Sequence, residues 1–480
     1  FVIASRHFLA AICLLPGLTD GNIAMKESRS IFLLLLLTSL VVCWSAVPAE
    51  SACENGLIFG GAIRFRYEFQ DNFSQKYYGN NPARGSSDDG FLLGRFRAGL
   101  DYRPSQKIHL SLWMQNSEVW DIALPDSAFY TATFAKEHNP NKDRWEFWDT
   151  YLEVKELFGL PLTVKGGRQR IFYGDNRIFG PGEWGNDGRW IWDAAKVSYS
   201  FSGGFLDAYY GRTQLHEPGE FSLNHRHGFE SFGIYGHVEL PERFISLAVE
   251  PFFITKVDDH DRYTGGDGAK GDLDSYYLGL RSCMKAYKGF DYDLTFISQQ
   301  GDFSGDDIEA YGYHILLGYQ FTGLFFKPRV SIEYSYASGD DDRPDDEYET
   351  FDGAFGARDK LYGRLNLFYW QNLKDAQINL EVKPRKWIYI KVELHKFWLA
   401  ERNDAWYLNK RLYRDPSGNS GNQLGREFDI VARLDFPKSN QIQLGYGHFW
   451  PDEFVKKQAS SKEADWIFLQ WVYSFSLKLI

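Results

Sequence analysis

From residue 60 onward the chain switches between apolar or aromatic and polar residues at period 2, the period of a strand with two unlike faces. Ile63-Arg64-Phe65-Arg66-Tyr67-Glu68-Phe69 is the clearest run. Residues 95–102, 377–382 and 427–436 repeat it, each with charge on one face and hydrocarbon on the other. A soluble sandwich also alternates, but its strands usually run about 5–6 residues. A transmembrane strand needs about 9–11 residues and recurs between turn signals, with a polar lumen face and an apolar lipid face. The pattern predicts an all-β fold, a single-chain transmembrane antiparallel β-barrel.

Nineteen alternating segments lie between residues 59 and 475. Bacterial single-chain barrels have an even strand number and join their strands alternately by short periplasmic turns and long extracellular loops. Short connectors fall at 103–106, 157–161, 202–204, 241–243, 287–289, 322–323, 384–386 and 437–440. Long ones fall between them, near 70–90, 117–145, 171–189, 214–228, 257–272, 300–309, 338–374, 399–423 and 450–463. The alternation holds only if Tyr362 to Gln371 does not span, which leaves about eighteen strands with both termini periplasmic. That segment reads either as a plug folded into the mouth or as a short strand above the membrane.

Composition narrows the class. Aromatic residues make up 17% of the 480 residues and there are 45 glycines, which suits aromatic girdles and turns. The only long apolar run is Ile31 to Trp44, preceded by Met25, Lys26 and Arg29 and followed by Val47-Pro48-Ala49, so residues 25–49 read as a secretory signal peptide. Residues 1–24 read as an upstream extension, and residues 50–480 as the barrel domain. Losing Arg6, Lys26, Arg29, Asp20 and Glu27 turns the net charge of −11 into −12, which is no nucleic-acid binder's balance. Four cysteines without CxxC spacing support neither a zinc site nor a disulfide framework.

Several stretches resemble the alginate export family of outer-membrane channels. They are GRQRIFYGDNRIFGPGEW at 167–184, WDAAKVSYSF at 192–201, YASGDDDRPDDEYETFDGAF at 336–355, YGRLNLFYWQNL at 362–373 and HKFWLAERNDAWY at 395–407. LGREFDIVARL at 424–434 and LGYGHFWPDEF at 444–454 complete an ordered set over most of the chain. The resemblance implies a monomeric eighteen-strand barrel in the bacterial outer membrane that passes an anionic exopolysaccharide outward.

The phase of the strands divides the lumen by charge. Inward basic candidates come early, at Arg64, Arg66, Arg95, Arg97, Lys165 and Lys196, with Arg168, Arg170, Arg177 and Arg189 at the third long loop. Inward acids come late, at Asp291, Asp293, Glu333, Glu381, Glu393, Glu427, Asp429 and Asp435. In a meander barrel, chain order is circumferential order, so a basic wall should face a more acidic one. Guanidinium forks suit carboxylate sugars, and several weak sites in series permit movement without trapping. The competing reading has the arginines stiffening the lumen through salt bridges to Glu68, Asp101 and Glu153. The loop from Ile171 to Arg189 adds Trp184, a sugar-stacking face, and is the candidate constriction.

No nucleophile, base and orienting group are spaced for catalysis, and His109 with Ser111 on one strand face is a common pairing. The acidic run Asp340 to Glu347 lacks the spacing of a calcium loop and reads as solvated. The expectation is a channel without cofactor or metal that exports an alginate-like polyuronate. Its partners are the anionic polysaccharide, outer-membrane lipids and lipopolysaccharide, the periplasmic polymer-synthesis machinery and the barrel-assembly machinery, with no nucleic acid. A porin taking up small anions or sugars is the alternative.

Overall fold

The computed structural model describes residues 55–480 apart from 73–87, 132–135, 138, 189, 241–246, 359 and 409–410. The extension 1–24 and the signal peptide 25–49 lie outside the described residues. Eighteen long strands follow one another along the chain. The first six are β1 (Gly56–Asp71), β2 (Asp89–Ser105), β3 (Ile108–Trp120), β4 (Asp143–Val154), β5 (Leu162–Arg170) and β6 (Ile191–Phe201). Next come β7 (Gly204–Gln214), β8 (His227–Glu239), β9 (Leu247–Thr264), β10 (Lys270–Tyr287), β11 (Phe290–Phe303) and β12 (Asp306–Gln320). The last are β13 (Arg329–Ala337), β14 (Leu373–Arg385), β15 (Ile388–Trp398), β16 (Gln423–Phe436), β17 (Asn440–Pro451) and β18 (Ala464–Lys478).

Each strand pairs antiparallel with its chain neighbours, and β1 also pairs with β18, with Ile58 opposite Lys478 and Asp71 opposite Asp465. The seam continues past the strands, where the Leu57 amide donates to the Ile480 carbonyl at 3.3 Å. Closure leaves no edge, so every strand can satisfy its backbone polar groups internally, as hydrocarbon surroundings demand. Residue phase then sorts the side chains. On β10, Leu278 and Leu280 point outward, exposed by 64% and 50%, while Tyr277 is fully buried inside. Outward Leu110, Leu206, Phe296, Leu317 and Ile378 repeat the pattern around the wall. Exposed Phe201, Tyr287, Phe290, Phe325 and Trp387 cluster at the short turns, forming one aromatic girdle.

The alternation of short turns and long loops follows the sequence reading, with three adjustments. The turn between β12 and β13 spans residues 321–328 instead of centring on Thr322-Gly323 alone. The loops expected at 257–272 and 300–309 shrink to 265–269 and 304–305, because β9 to β12 continue as a paired ladder. Stacking of Phe303 on Tyr348 at 4.0 Å and an edge-to-face contact of Tyr263 with Phe303 at 5.3 Å hold that extension. The third concerns Tyr362 to Gln371. It forms no strand, and Tyr362, Leu365, Leu367, Phe368 and Trp370 are buried, so of the two open readings it is the plug.

Leu280→Arg places a cation on the lipid face of β10 and should destabilise the barrel by about 2–4 kcal/mol. Reversible denaturant titration in liposomes measures this; a loss below about 1 kcal/mol would place residue 280 outside the hydrocarbon.

Candidate functional site

Two long loops, 171–190 and 338–372, turn into the lumen and join one another. The Gly180 amide donates to the Phe355 carbonyl at 3.0 Å, Phe355 to Ile178 at 3.0 Å and Ala357 to Asn176 at 2.8 Å. The Trp190 indole donates to the Gly356 carbonyl at 3.2 Å. Gly356 is required at this junction, since a Cβ there would sit 1.9 Å from the Arg177 carbonyl oxygen. Around the joint the two loops share one apolar cluster with the walls. Phe179 packs on Trp192 of β6 and on Phe355, Tyr173 stacks on Tyr235 of β8 at 4.1 Å, and Phe368 stacks on Phe397 of β15 at 4.0 Å.

Charged side chains on two sectors of the wall grip this plug. On β1 and β2, Arg64 donates to the carbonyls of Glu183, Trp184 and Gly185 at 3.1, 3.3 and 2.9 Å and to Asn186 Oδ1 at 3.0 Å. Arg66 donates to the Trp184 carbonyl at 2.6 Å and pairs with Glu68 at 2.7 Å. Arg95 reaches the carbonyls of Glu183 and Gly185, and Arg97 pairs with Glu183 at 3.2 Å. Arg170 pairs with Asp149 at 2.6 Å and with Glu183. Burial alone would raise the Glu183 carboxyl, but Arg97, Arg95 and Arg170 hold it down at about 2. Three to four strands away round the wall, through the β18–β1 seam, acids on β15 and β16 receive the other loop. Arg364 pairs with Glu393 of β15, and the amides of Leu365 and Arg364 donate to Glu427 and Asp429 of β16 at 2.9 and 3.3 Å.

The remaining candidates divide. Arg177 crosses to the far wall, 3.0 Å from Asp175 and 3.9 Å from Glu333 on β13. Lys196 pairs with Asp207 at 2.8 Å, and Lys165 lies 3.6 Å above the Tyr151 ring, both facing the lumen. Arg168 does not face the lumen: it pairs at 2.8 Å with Asp193, whose strand neighbours Val197 and Tyr199 of the same phase are exposed on the outer wall. Trp184 is wedged between Trp466, Phe468 and the Arg66 guanidinium, which lies 4.1 Å over its ring. Arg189 lies outside the described residues. His109, which shares a strand face with Ser111, binds Asp101 at 2.6 Å, and Ser111 donates to the Asp149 carbonyl.

Several cations escaped the sequence reading, Arg281, Arg329 and Arg364 among them. Arg281 bridges Glu250, at 2.5 Å, and Asp293; Arg329 bridges Asp291 and Glu381, both at 2.6 Å. Strand phase on β10 and β13 is the signal that could have found both, because each faces the acids on its neighbour. Arg364 sits in the plug, where no phase applies. Beside the plug lies a cavity of about 300 Å³ lined by Trp190, Phe229, Tyr263, Phe303, Tyr348, Lys256, Asp352 and Arg358, among others, with Lys256 paired to Asp352. It is of small-molecule size and offers ring faces together with cations.

A family model described as alginate export matches residues 56–467. The chain belongs to the alginate export family. No curated protein matches the sequence of this family member. Among solved structures it is similar to OccAB2 of Acinetobacter baumannii, with a TM-score of 0.58 at 10% identity, covering 89% of this chain and all of that one. OccK8 (OprE) of Pseudomonas aeruginosa follows with a TM-score of 0.55 at 10% identity, covering 88% of this chain and 100% of that one. At such identity the likeness is one of fold. Family and barrel together make this alginate export family member an outer-membrane channel.

Arg64→Ser removes charge-assisted hydrogen bonds worth about 1.5–3 kcal/mol each. The expected result is higher single-channel conductance and faster proteolysis within 171–190, with heat-modifiable barrel mobility retained. The depressed Glu183 carboxyl adds a pH dependence. Its contribution to loop closure is complete above its ordinary value of 4.5 and is lost as pH falls toward about 2. Conductance should therefore rise on acidification through that window, and Glu183→Gln should flatten the rise; an unaltered pH profile in the variant would remove Glu183 from the closure.

Proposed function

We propose that this channel exports an acidic exopolysaccharide of the alginate type, a polyuronate, past a plug held between its charged walls. Membership of the alginate export family carries this reading. The geometry supports it with inward Arg64, Arg66, Arg95, Arg97, Arg170 and Arg177, backed by Lys165 and Lys196, and with an aromatic cavity at the plug that bears Lys256 and Arg358. A uronate residue presents a carboxylate for a guanidinium and an apolar sugar face for a ring, which is the combination these groups offer. The plug backbone now occupies many of those guanidinium groups. Passage in this reading exchanges their carbonyl partners for the polymer's carboxylates, and several such sites in series allow release as well as capture.

The polymer moves under the push of its own synthesis in the periplasm, through a monomer seated in lipid and lipopolysaccharide by the barrel-assembly machinery. The mature chain is refolded into planar bilayers and its reversal potential taken under a salt gradient, followed by block with oligouronates and with neutral oligosaccharides. Anion selectivity with block by oligouronates alone is the expected outcome. Arg95→Ser with Arg97→Ser should weaken both. Cation selectivity without uronate block would sink polyuronate export and leave a porin for the uptake of other solutes.

A further inference from the structure

One buried cluster lies apart from the arginines that grip the plug. Asp143 and Glu146 of β4, Asp187 of loop 171–190 and His216 of loop 215–226 converge, each offering a ligand atom within 4.8 Å of the others. The three carboxylates are exposed by only 1%, 2% and 4%. Asp143 Oδ1 and Glu146 Oε2 accept no hydrogen bond, although both are enclosed. An ionised carboxylate removed from water and left unpartnered is strongly disfavoured, so these oxygens call for a positive charge in the space they face.

The histidines are oriented for the same purpose. His216 Nε2 lies 2.7 Å from the Asn139 carbonyl oxygen, to which it donates. That arrangement turns Nδ1 toward Asp143 Oδ2 at 3.1 Å and Asp187 Oδ2 at 2.6 Å. His225 repeats the arrangement, with Nε2 at 3.2 Å from the Glu220 carbonyl and Nδ1 at 3.4 Å from Glu146 Oε1. An imidazole that donates one N–H to a backbone carbonyl while its other nitrogen faces carboxylates is the arrangement found around metal ions.

We propose that Asp143, Glu146, Asp187 and His216 hold a divalent cation of the first transition row, Zn²⁺ or Mn²⁺. The mixed donor set decides the class, since imidazole favours zinc-like ions and carboxylates favour harder ones such as manganese. The ion ties the start of β4 to two long loops and so anchors the end of loop 171–190 that the arginine wall does not reach. Which solute the channel carries does not enter the argument.

The mature chain, refolded and stripped with EDTA, is incubated with Zn²⁺, Mn²⁺ or Ca²⁺ and desalted before its metal content is measured. Retention of about one Zn²⁺ or Mn²⁺ per chain is expected. It should fall to background in Asp143→Asn and in His216→Gln, both checked for heat-modifiable mobility. In the unaltered chain the same ion should slow proteolysis within 171–190, a readout that needs no variant. The proposal is overturned by an unaltered chain that retains neither ion, by equal retention in both folded variants, or by retention of Ca²⁺ alone that His216→Gln leaves unchanged.

Discussion

A chain segment that enters a barrel lumen brings backbone carbonyls and amides with it, and each must find a partner there or forfeit the water it left. The plug meets this constraint through opposite charges on two sectors of the wall that flank the β18–β1 seam. Arginines of β1 and β2 donate to the carbonyls of residues 183–185, while carboxylates of β16 accept the amides of residues 364 and 365. The two loops then satisfy each other where they meet, between Asn176 and Ala357. The arginines of β1 and β2 thereby hold one loop by its carbonyls, and the acids of β16 hold the other by its amides.

That arrangement also shapes how the channel treats charge. A guanidinium exposed to a wide aqueous lumen is a strong anion site, whereas Arg64 and Arg66 are 4% and 2% exposed and committed to carbonyls. Elsewhere on the strands one arginine is shared between two acids, Arg281 between Glu250 and Asp293 and Arg329 between Asp291 and Glu381. Buried ion pairs of this kind add little net stability, because desolvation offsets attraction, but removing one partner is costly. They fix side-chain positions and keep the wall polar without a large net field. A net charge of −12 for the chain after residue 49 is compatible with an anion's conduit in these terms, because much of the inward acid is already matched.

A further group of buried charges lies at the upper rim, where Asp143, Glu146 and Asp187 meet two imidazoles. This cluster and the arginine wall act on the same loop at different points. Residues 183–186 are held by side chains of β1, β2 and β3, and residue 187 by the rim. Loop position is thus set from the barrel wall and from neighbouring loops at once, which is how a segment without regular secondary structure acquires a single conformation.

Alternation at period 2, as in Ile63 to Phe69, by itself determined the transmembrane barrel, because a strand between lipid and a polar lumen admits no other pattern over this length. Connector parity determined eighteen strands and excluded Tyr362 to Gln371 from the wall, and phase placed Arg64, Arg66, Arg95 and Arg97 inside. Phase was silent on what those arginines touch. Glu183 to Asn186 lie about 120 residues away in a loop whose path no periodicity encodes, so their grip on Arg64 exists only in three dimensions. Arg168 shows the limit from the other side: one residue out of phase with Gln169, it faces outward to Asp193, and only the register of β5 against β6 decides that. The rim cluster draws Asp187 and His216 from two loops to Asp143 and Glu146 of one strand, and no local spacing connects those three segments; loop packing brought them together.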